Sequence, residues 1–304
     1  MYFETRANRG RSAFTLIELL IVIAIIAILA GLGAWGVFAM IGTQQRRNTE
    51  TTIRVVNKLL QDRWTTVIAE ARKEAPSPAV VNLAGADPTG ERAKVIWIKV
   101  RLAEAFPVGY AEVSATNTTS IVNAYIPANR RKPHFAKYQQ LIGSVPPGGA
   151  GESSACLLMA VKALTPGGVA IDDQLKFAVK DTDGDTLAEL VDGWGTPLAF
   201  FRFPWNNAAL QAANPGIASV RGAKYADPVD TGGALINAAW YALPARGIFE
   251  TDFKHQVKTS AGNAYYVVPV IVSAGPNLVM DVGGDLLPGP KAADNMFSFE
   301  LRGD

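Results

Sequence analysis

An uncharged apolar run near the N-terminus limits the folds that this 304-residue chain can adopt. Residues 19–41, LLIVIAIIAILAGLGAWGVFAMI, contain no charged side chain. With a rise of ~1.5 Å per residue, a helix of these 23 residues spans roughly 34 Å, enough to cross a hydrocarbon core of ~30 Å. Three arginines precede the run: Arg6, Arg9 and Arg11. Because cationic flanks favour the cytoplasm, the sequence predicts a single membrane-spanning helix with the rest of the chain outside the cytoplasm.

Glu18 is the residue that an ordinary signal anchor leaves unexplained. It lies four residues into the apolar stretch FTLIELLIVIAIIAILA. An ionised carboxylate near hydrocarbon is costly unless it is paired, so a partner cation is expected. If the chain were cut between Ala13 and Phe14, the new α-amino group would lie four residues before Glu18. It could interact with Glu18 locally, or it could neutralise the Glu18 of a neighbouring subunit and set the axial register.

The same residues carry a resemblance to a known family. The sequence GRSA at 10–13, followed by FTLIELL at 14–20, resembles the leader and methylation motif of type IV pilins and type II secretion pseudopilins. The resemblance implies cleavage by prepilin peptidase between Ala13 and Phe14, N-methylation of Phe14, and assembly through Glu18. It also implies other copies or homologous subunits, an inner-membrane assembly platform and membrane lipid as partners. Ala13 stands where the family usually has Gly.

The sequence predicts four segments. They are a leader peptide at 1–13, a transmembrane and polymerisation helix at 14–42, an amphipathic continuation at 43–75, and a periplasmic globular head at 76–304. The continuation is predicted because apolar residues recur there mostly at spacings of three and four: Ile53, Val56, Leu60, Trp64, Val67 and Ile68. Pro76 and Pro78 should end this helix.

Within the head, the pattern predicts helices first and strands later. The segment 91–106 is ambiguous between helix and strand, and a helix is favoured; 153–164 predicts a second helix. Short β-branched or aromatic runs predict strands at 175–179, 198–203, 265–272 and 297–301. Loops are predicted at 76–89, 107–150 and 206–245. The layout is an α+β fold, and the resemblance implies a pilin-like arrangement in which the long N-terminal spine helix packs on a C-terminal antiparallel sheet, with a helical and loop insertion.

Composition argues against several functional classes. The single cysteine, Cys156, excludes an internal disulfide framework and a thiolate zinc cluster, and it is expected to be buried. The two histidines, His134 and His255, are expected on the surface, where they would not build an imidazole-rich metal site. A net charge of +2 argues against a nucleic-acid partner. No nucleophile motif or phosphate-binding glycine loop is evident, so we expect a protein that is not an enzyme.

An acidic run forms the best candidate metal site. Alternating aspartates with a glycine among them can surround a hard cation such as Ca²⁺. The predicted ligands are Asp181, Asp183, Asp185 and Asp192. Counted as a calcium loop, the run places Glu189 at position 9 and Thr186 at position 6, where Gly is usual. The alternative is a solvated acidic turn between two strands.

A second resemblance points to another loop. The sequence DGWGTPL at 192–198 is similar to the Asp-Pro-Trp-Gly-Asn-Pro stretch of major pseudopilins, and Trp194 within it is expected to be a packing residue. Residues 273–295 look like the calcium-binding β loop of those proteins. This resemblance implies Asp281, Asp285 and Asp294 as alternative Ca²⁺ ligands, and an ordinary Gly/Asp loop is the competing interpretation.

These predictions favour a structural protein. The chain is predicted to be a subunit of a type II secretion pseudopilus or a related type IV filament, single-pass in the inner membrane, with its N-terminus cytoplasmic and its head periplasmic. The alternatives are a membrane-anchored periplasmic binding or adhesion protein with a pilin-type anchor, and a minor pilin of a type IV pilus.

Overall fold

The chain folds as two units. The computed structural model describes residues 15–149, 151–164, 173–212, 227–258, 264–282, 289 and 292–301. Contacts divide the chain into unit 1, Met1–Gln44, and unit 2, Gln45–Asp304. The predicted leader and Phe14 lie outside the described residues.

The first helix, α1, covers Leu16–Ala71. In unit 1, every side chain described between Leu16 and Leu32 is exposed. Among the described residues, none of the helices combines the length and the apolar character that a membrane crossing requires. The predicted membrane segment 14–42 therefore stays a prediction.

In unit 2, α1 has the predicted apolar stripe. The side chains of Ile53, Val56 and Leu60 are fully buried, and Trp64 is almost fully buried. Val67 and Ile68 pack against the same core from partly exposed positions. The helix ends at Ala71, shortly before Pro76 and Pro78. Over this range the helix and its buried apolar stripe are observed.

Six helices follow α1 in the first half of unit 2. They are α2 Pro78–Ala84, α3 Glu91–Ala105, α4 Tyr110–Val113, α5 Ile121–Tyr125, α6 Pro133–Ile142 and α7 Glu152–Leu164, with a 3₁₀ turn at Ala128–Arg130. The helices predicted at 91–106 and 153–164 are confirmed as α3 and α7. The loops predicted at 76–89 and 107–150 are wrong, because local caps start short helices there. Ser77 accepts a hydrogen bond from Val80 N at 3.3 Å, and Ser120 accepts one from Asn123 N at 3.3 Å.

Helix α3 lies at the centre of unit 2. It contacts α2, α5 and α6, and all but two of its 15 residues are buried. Its buried charges have partners: Arg92 donates to the carbonyls of Ala84 and Ala86, and Arg101 pairs with Glu74 and Glu104. Such pairing is required because an isolated charge in a protein interior is strongly destabilising.

The strands form two small antiparallel sheets. Strand β1, Val179–Lys180, pairs with β2, Glu189–Leu190. Strand β3, Ala199–Phe201, pairs with β4, Val270–Ser273, which pairs with β5, Met296–Phe297. In register, Phe200 is opposite Ile271 and Val272 is opposite Phe297.

The predicted strands are longer than those observed. At 198–203, 265–272 and 297–301 only the residues of β3, β4 and β5 have strand pairing, and residues 298–301 form a turn. The strand predicted at 175–179 is wrong except at Val179, because residues 173–175 form a helical turn. An apolar run becomes a strand only where a partner strand is available for its backbone hydrogen bonds.

Three more short α-helices lie in the described part of unit 2, together with a 3₁₀ turn at Ala292–Asp294. They are α8 Ala208–Ala212, α9 Ala238–Tyr241 and α10 Pro244–Phe253. The loop predicted at 206–245 is therefore wrong in the described residues of that segment. Asn237 accepts hydrogen bonds at the start of α9, and Pro244 occupies the first turn of α10, where its missing N–H is harmless. The α+β fold class and the long N-terminal helix are confirmed, whereas the pilin-like packing stays a prediction.

Candidate functional site

The start of α1 holds Glu18 in a local hydrogen-bonded arrangement. Thr15 precedes the first residue of the helix, and its backbone N–H and its hydroxyl both donate to Glu18 Oε2 at 2.9 Å. In return, Glu18 N donates to Thr15 Oγ1 at 3.3 Å. This is a capping box, in which two backbone donors at the helix start are satisfied reciprocally. The sequence signal for it is the Thr-x-x-Glu spacing of Thr15 and Glu18.

The capping box gives Glu18 a role within a single chain. It does not replace the predicted role between subunits, because the carboxylate is exposed and close to the point at which cleavage is predicted. The two predicted processing residues, Ala13 and Phe14, lie outside the described residues. The assembly role of Glu18 therefore stays a prediction.

The acidic run forms a compact cluster at the tip of the β1–β2 hairpin. Asp181, Asp183, Asp185 and Glu189 each place one carboxylate oxygen within 4.8 Å of the others. The hairpin register pairs Lys180 with Glu189, so the turn between them returns Glu189 to the side of the three aspartates. The structure thus brings together three of the four predicted ligands and adds Glu189.

Two residues in the left-handed region give this turn its shape. Gly184 has φ 79° and Thr186 has φ 78°. Glycine adopts this conformation readily, whereas a β-branched residue does so only under strain. Thr186 occupies the position at which a calcium loop usually has glycine, and its backbone has the conformation that glycine would supply there.

Backbone N–H groups orient the aspartates. Gly184 N donates to Asp181 Oδ1 at 2.7 Å, Asp185 N donates to Asp183 Oδ1 at 3.3 Å, and Leu187 N donates to Asp185 Oδ1 at 2.7 Å. These bonds fix the side chains close together although all of them carry the same charge. The loop is therefore preorganised around its carboxylates.

Glu189 is the buried member of the cluster. Its residue is 0% exposed, and Thr182 donates to its Oε2 through the backbone N–H at 2.7 Å and the hydroxyl at 2.8 Å. The other oxygen, Oε1, is buried with no hydrogen-bond partner among the described residues. Burial raises the pKa of Glu189, and the charges of Asp183 and Asp185 act in the same direction. A buried acceptor without a donor is rare and requires an explanation.

The cluster is connected to the helical part of unit 2 through Tyr110 at the start of α4. The Tyr110 hydroxyl donates to Asp185 Oδ2 at 3.1 Å. Burial and this hydrogen bond raise the pKa of Tyr110, so it remains a neutral donor. A displacement of the acidic loop would therefore disturb the hydrogen bond between Asp185 and Tyr110 of α4.

Asp192, the fourth predicted ligand, lies in a different turn. Its Oδ1 accepts from Trp194 N at 2.9 Å and Thr196 N at 3.0 Å, and its Oδ2 accepts from Ser273 Oγ at 2.6 Å. The carboxylate is thus engaged in holding the turn to β4, away from the aspartates. Trp194 in this turn is half-buried against the core, as a packing residue would be.

The same turn packs against α1 at Gly193. Gly193 N donates to Thr49 Oγ1 at 2.8 Å, and the Thr49 hydroxyl donates to Gln45 O at 2.9 Å. A Cβ on Gly193 would collide with the backbone of Gln45. The similarity of 192–198 to the major-pseudopilin stretch therefore falls on a segment whose visible role is to dock the helix.

The C-terminal loop does not assemble its three predicted ligands in the described residues. Asp294 accepts a hydrogen bond from Asn277 N at 3.0 Å, and Gly289 N donates to the carbonyl of Asp281 at 2.7 Å. Asp285 lies outside the described residues. The alternative Ca²⁺ site of this loop stays a prediction.

A buried polar cluster of Lys99, Asp227 and His255 was missed in the sequence. Lys99 Nζ lies 2.7 Å from Asp227 Oδ2, and His255 Nε2 lies 3.5 Å from the same oxygen. Burial, together with the charge of Lys99, lowers the pKa of His255 to about 4. Burial alone would raise the pKa of Asp227, but the charges of Lys99 and His255 hold it well below its ordinary value. No sequence signal connects these residues.

The predictions for the other titratable residues have mixed outcomes. The surface location of His255 is wrong, because the rings of Phe203 and Phe249 lie 5.3 and 5.8 Å from its ring and enclose it. His134 is half-buried, and burial lowers its pKa to about 4. Cys156 is fully buried, as predicted, and burial raises the pKa of its thiol.

Comparison with known proteins identifies the N-terminal motif. Residues 8–34 match the family model described as the prokaryotic N-terminal methylation motif. This is the prepilin-cleavage motif of type IV pilins and pseudopilins, so the predicted resemblance is confirmed for this segment. The motif indicates a type IV pilin-like substrate of prepilin peptidase and does not distinguish a pseudopilus role from a pilus role. No curated protein and no solved structure was found to match the chain.

Proposed function

We propose that this protein is a structural subunit of a type II secretion pseudopilus or a related type IV filament. The observation that carries the proposal is the methylation motif at residues 8–34. Prepilin peptidase would cut between Ala13 and Phe14 and methylate Phe14. The segment 14–42 would lie in the inner membrane before assembly, and unit 2 would face the periplasm with a mechanical rather than a catalytic role.

The exposed apolar surface at the start of α1 supports this proposal. Large apolar side chains are exposed on all sides of the helix, among them Leu16, Ile17, Leu20, Ile23, Ile26 and Leu29. Water is an unfavourable environment for such a surface. Lipid would cover it in the membrane, and copies of the same helix would cover it in a filament, so one surface suits both states.

Glu18 has two properties that substitutions can separate. Its oxygen accepts the hydrogen bonds of the capping box from Thr15, and its charge is available for the N-terminal amine of a neighbouring subunit. Glu18→Gln keeps a side-chain oxygen for the cap and removes the charge. Thr15→Val removes the hydroxyl from the cap and keeps the charge. Together the two variants distinguish a helix-capping role from an assembly role.

We expect Glu18→Gln to be inserted and cleaved normally but to form no filaments, whereas Thr15→Val still assembles. Glu18→Ala should behave as Glu18→Gln does. The measurement is the amount of subunit in a sheared filament fraction, with cleavage followed by the mass of the mature N-terminus. Normal assembly of Glu18→Gln would refute the register-setting role, and loss of assembly in both variants would assign Glu18 to the helix cap instead.

The secretion role is tested by a separate readout. In a strain that carries only Glu18→Gln, substrates of the type II system should accumulate in the periplasm. Normal secretion combined with loss of surface pili would favour the alternative, a subunit of a type IV pilus.

A further inference from the structure

The buried oxygen of Glu189 is the starting point of this inference. Glu189 belongs to a group of four carboxylates whose oxygens lie within 4.8 Å of one another, and it is the only one of the four that is fully buried. Its Oε2 accepts two hydrogen bonds from Thr182, but its Oε1 has no donor among the described residues. The residue is therefore held in place with one oxygen unsatisfied, and it belongs to a group of four carboxylates.

The positive charge that would balance this group is missing from the described part of the chain. No ion pair found there involves Asp181, Asp183, Asp185 or Glu189, and the neighbouring Lys180 side chain is exposed without an ion pair to them. The other buried carboxylates of unit 2 differ in this respect: Asp227 is paired with Lys99 and Glu104 with Arg101. An external cation is the simplest way to satisfy the cluster.

The donor set defines the class of cation. All four groups offer carboxylate oxygens, and no histidine or cysteine joins them. Oxygen-only sites suit hard cations and do not select zinc or copper. Ca²⁺ accepts six to eight oxygen ligands in flexible geometry, whereas Mg²⁺ requires a near-ideal octahedron and keeps most of its water. A loop with several carboxylates matches Ca²⁺ better.

We propose that Asp181, Asp183, Asp185 and Glu189 bind one Ca²⁺, with Glu189 as the buried ligand in place of the predicted Asp192. This site goes beyond the proposed filament function and holds whether or not the chain polymerises. Because Asp185 also accepts from Tyr110, the bound ion would fasten the β1–β2 hairpin to α4. Ca²⁺ would therefore stabilise unit 2.

The test is Ca²⁺ binding to the full chain in detergent micelles, after removal of metal with a chelator. Calorimetric titration with CaCl₂ should give one site with a Kd of about 10⁻⁴–10⁻³ M, the range of extracellular calcium modules, and a weaker response to MgCl₂. Thermal unfolding should shift upward with Ca²⁺ and return when the chelator is restored.

Two variants locate the site. Asp183→Asn changes an exposed side chain and Glu189→Gln changes the buried one; each should weaken Ca²⁺ binding by at least about tenfold, since affinity depends on the charge count of the ligands. Asp173→Asn is the matched control, an exposed aspartate outside the cluster, and Asp294→Asn tests the rival loop. Both should bind as the wild type does.

Three results would overturn the proposal. The first is no binding by the wild-type chain at millimolar Ca²⁺, and the second is equal affinity for Mg²⁺. The third is binding that survives Asp183→Asn but is lost in Asp294→Asn. Because Asp183 is exposed, its variant keeps the test decisive even if Glu189→Gln fails to fold.

Discussion

Asp227→Asn should strongly destabilise unit 2, because it leaves the Lys99 ammonium without its counter-charge. The two side chains are 1% and 7% exposed, and their charged atoms lie 2.7 Å apart. Besides His255, two other groups lie near Lys99: the ring of Phe203, whose centroid is 5.1 Å from Nζ, and the carboxylate of Asp230. The ring cannot replace a carboxylate, and Asp230 accepts hydrogen bonds from Ala234 N and Leu235 N instead of forming an ion pair with Lys99, so Lys99 would lose its ion pair.

The expected loss follows from measured effects of breaking such pairs. Removing one partner of a buried ion pair costs about 3–5 kcal/mol. In a domain of this size about 1 kcal/mol corresponds to ~2–4 °C, so the Tm should fall by roughly 6–20 °C. Asparagine keeps an oxygen for the hydrogen bond from Val229 N, which is 2.9 Å from Asp227 Oδ1, so the loss reports mainly on the charge.

The assay is thermal unfolding of the full-length protein in detergent, followed by tryptophan fluorescence, because Trp97 and Trp240 are buried in unit 2. The matched control is Glu91→Gln, which breaks the exposed pair with Lys94 on the same helix and should cost less than about 1 kcal/mol. Adding Lys99→Met to Asp227→Asn should recover most of the loss. If Asp227→Asn lowers the free energy of unfolding no more than Glu91→Gln does, the ammonium of Lys99 is solvated and the predicted loss is wrong.

Two further predictions concern unit 2. Because the folded-state pKa of His255 is lowered from 6.5 to about 4, the free energy of unfolding should fall as the pH drops from about 6.5 to 4, by at most about 3 kcal/mol for this residue. In a pH series of Tm values, His255→Gln should show a smaller decline than the wild type. Equal slopes for the two proteins would contradict the assignment to His255. Gly193→Ala should destabilise by about 1–3 kcal/mol, since the new methyl group collides with the Gln45 backbone. Gly247→Ala in α10, where nothing lies within 4 Å, should instead be neutral or stabilising by up to about 1 kcal/mol, and a similar loss in both variants would remove the steric explanation.

Local patterns in the sequence were enough for several elements. The stripe from Ile53 to Ile68 predicted the buried face of α1, and the 91–106 segment was correctly favoured as a helix. The methylation motif needed no structure, because it is a contiguous run of residues that an enzyme reads as such. The alternating aspartates at 181–185 likewise predicted a loop in which carboxylates converge.

Short helices were missed for a physical reason. Helices α4, α5 and α9 have only four or five residues, and a helix of that length is not stable alone. Each depends on burial of one to three side chains against neighbouring elements, such as Tyr110 and Trp240. Such dependence leaves no periodic signal in the sequence.

The features that could be read from the chain alone are contiguous: the N-terminal motif, the apolar run, the stripe of α1 and the acidic turn. Which distant residues share an environment depends on the packing of the elements. Lys99 and Asp227 are 128 positions apart in the chain but form an ion pair. Asp192 is not part of the acidic cluster, because its carboxylate accepts a hydrogen bond from Ser273 on β4. Chain periodicity specifies which face of an element is apolar, whereas the partner of a buried charge is fixed by how the elements pack.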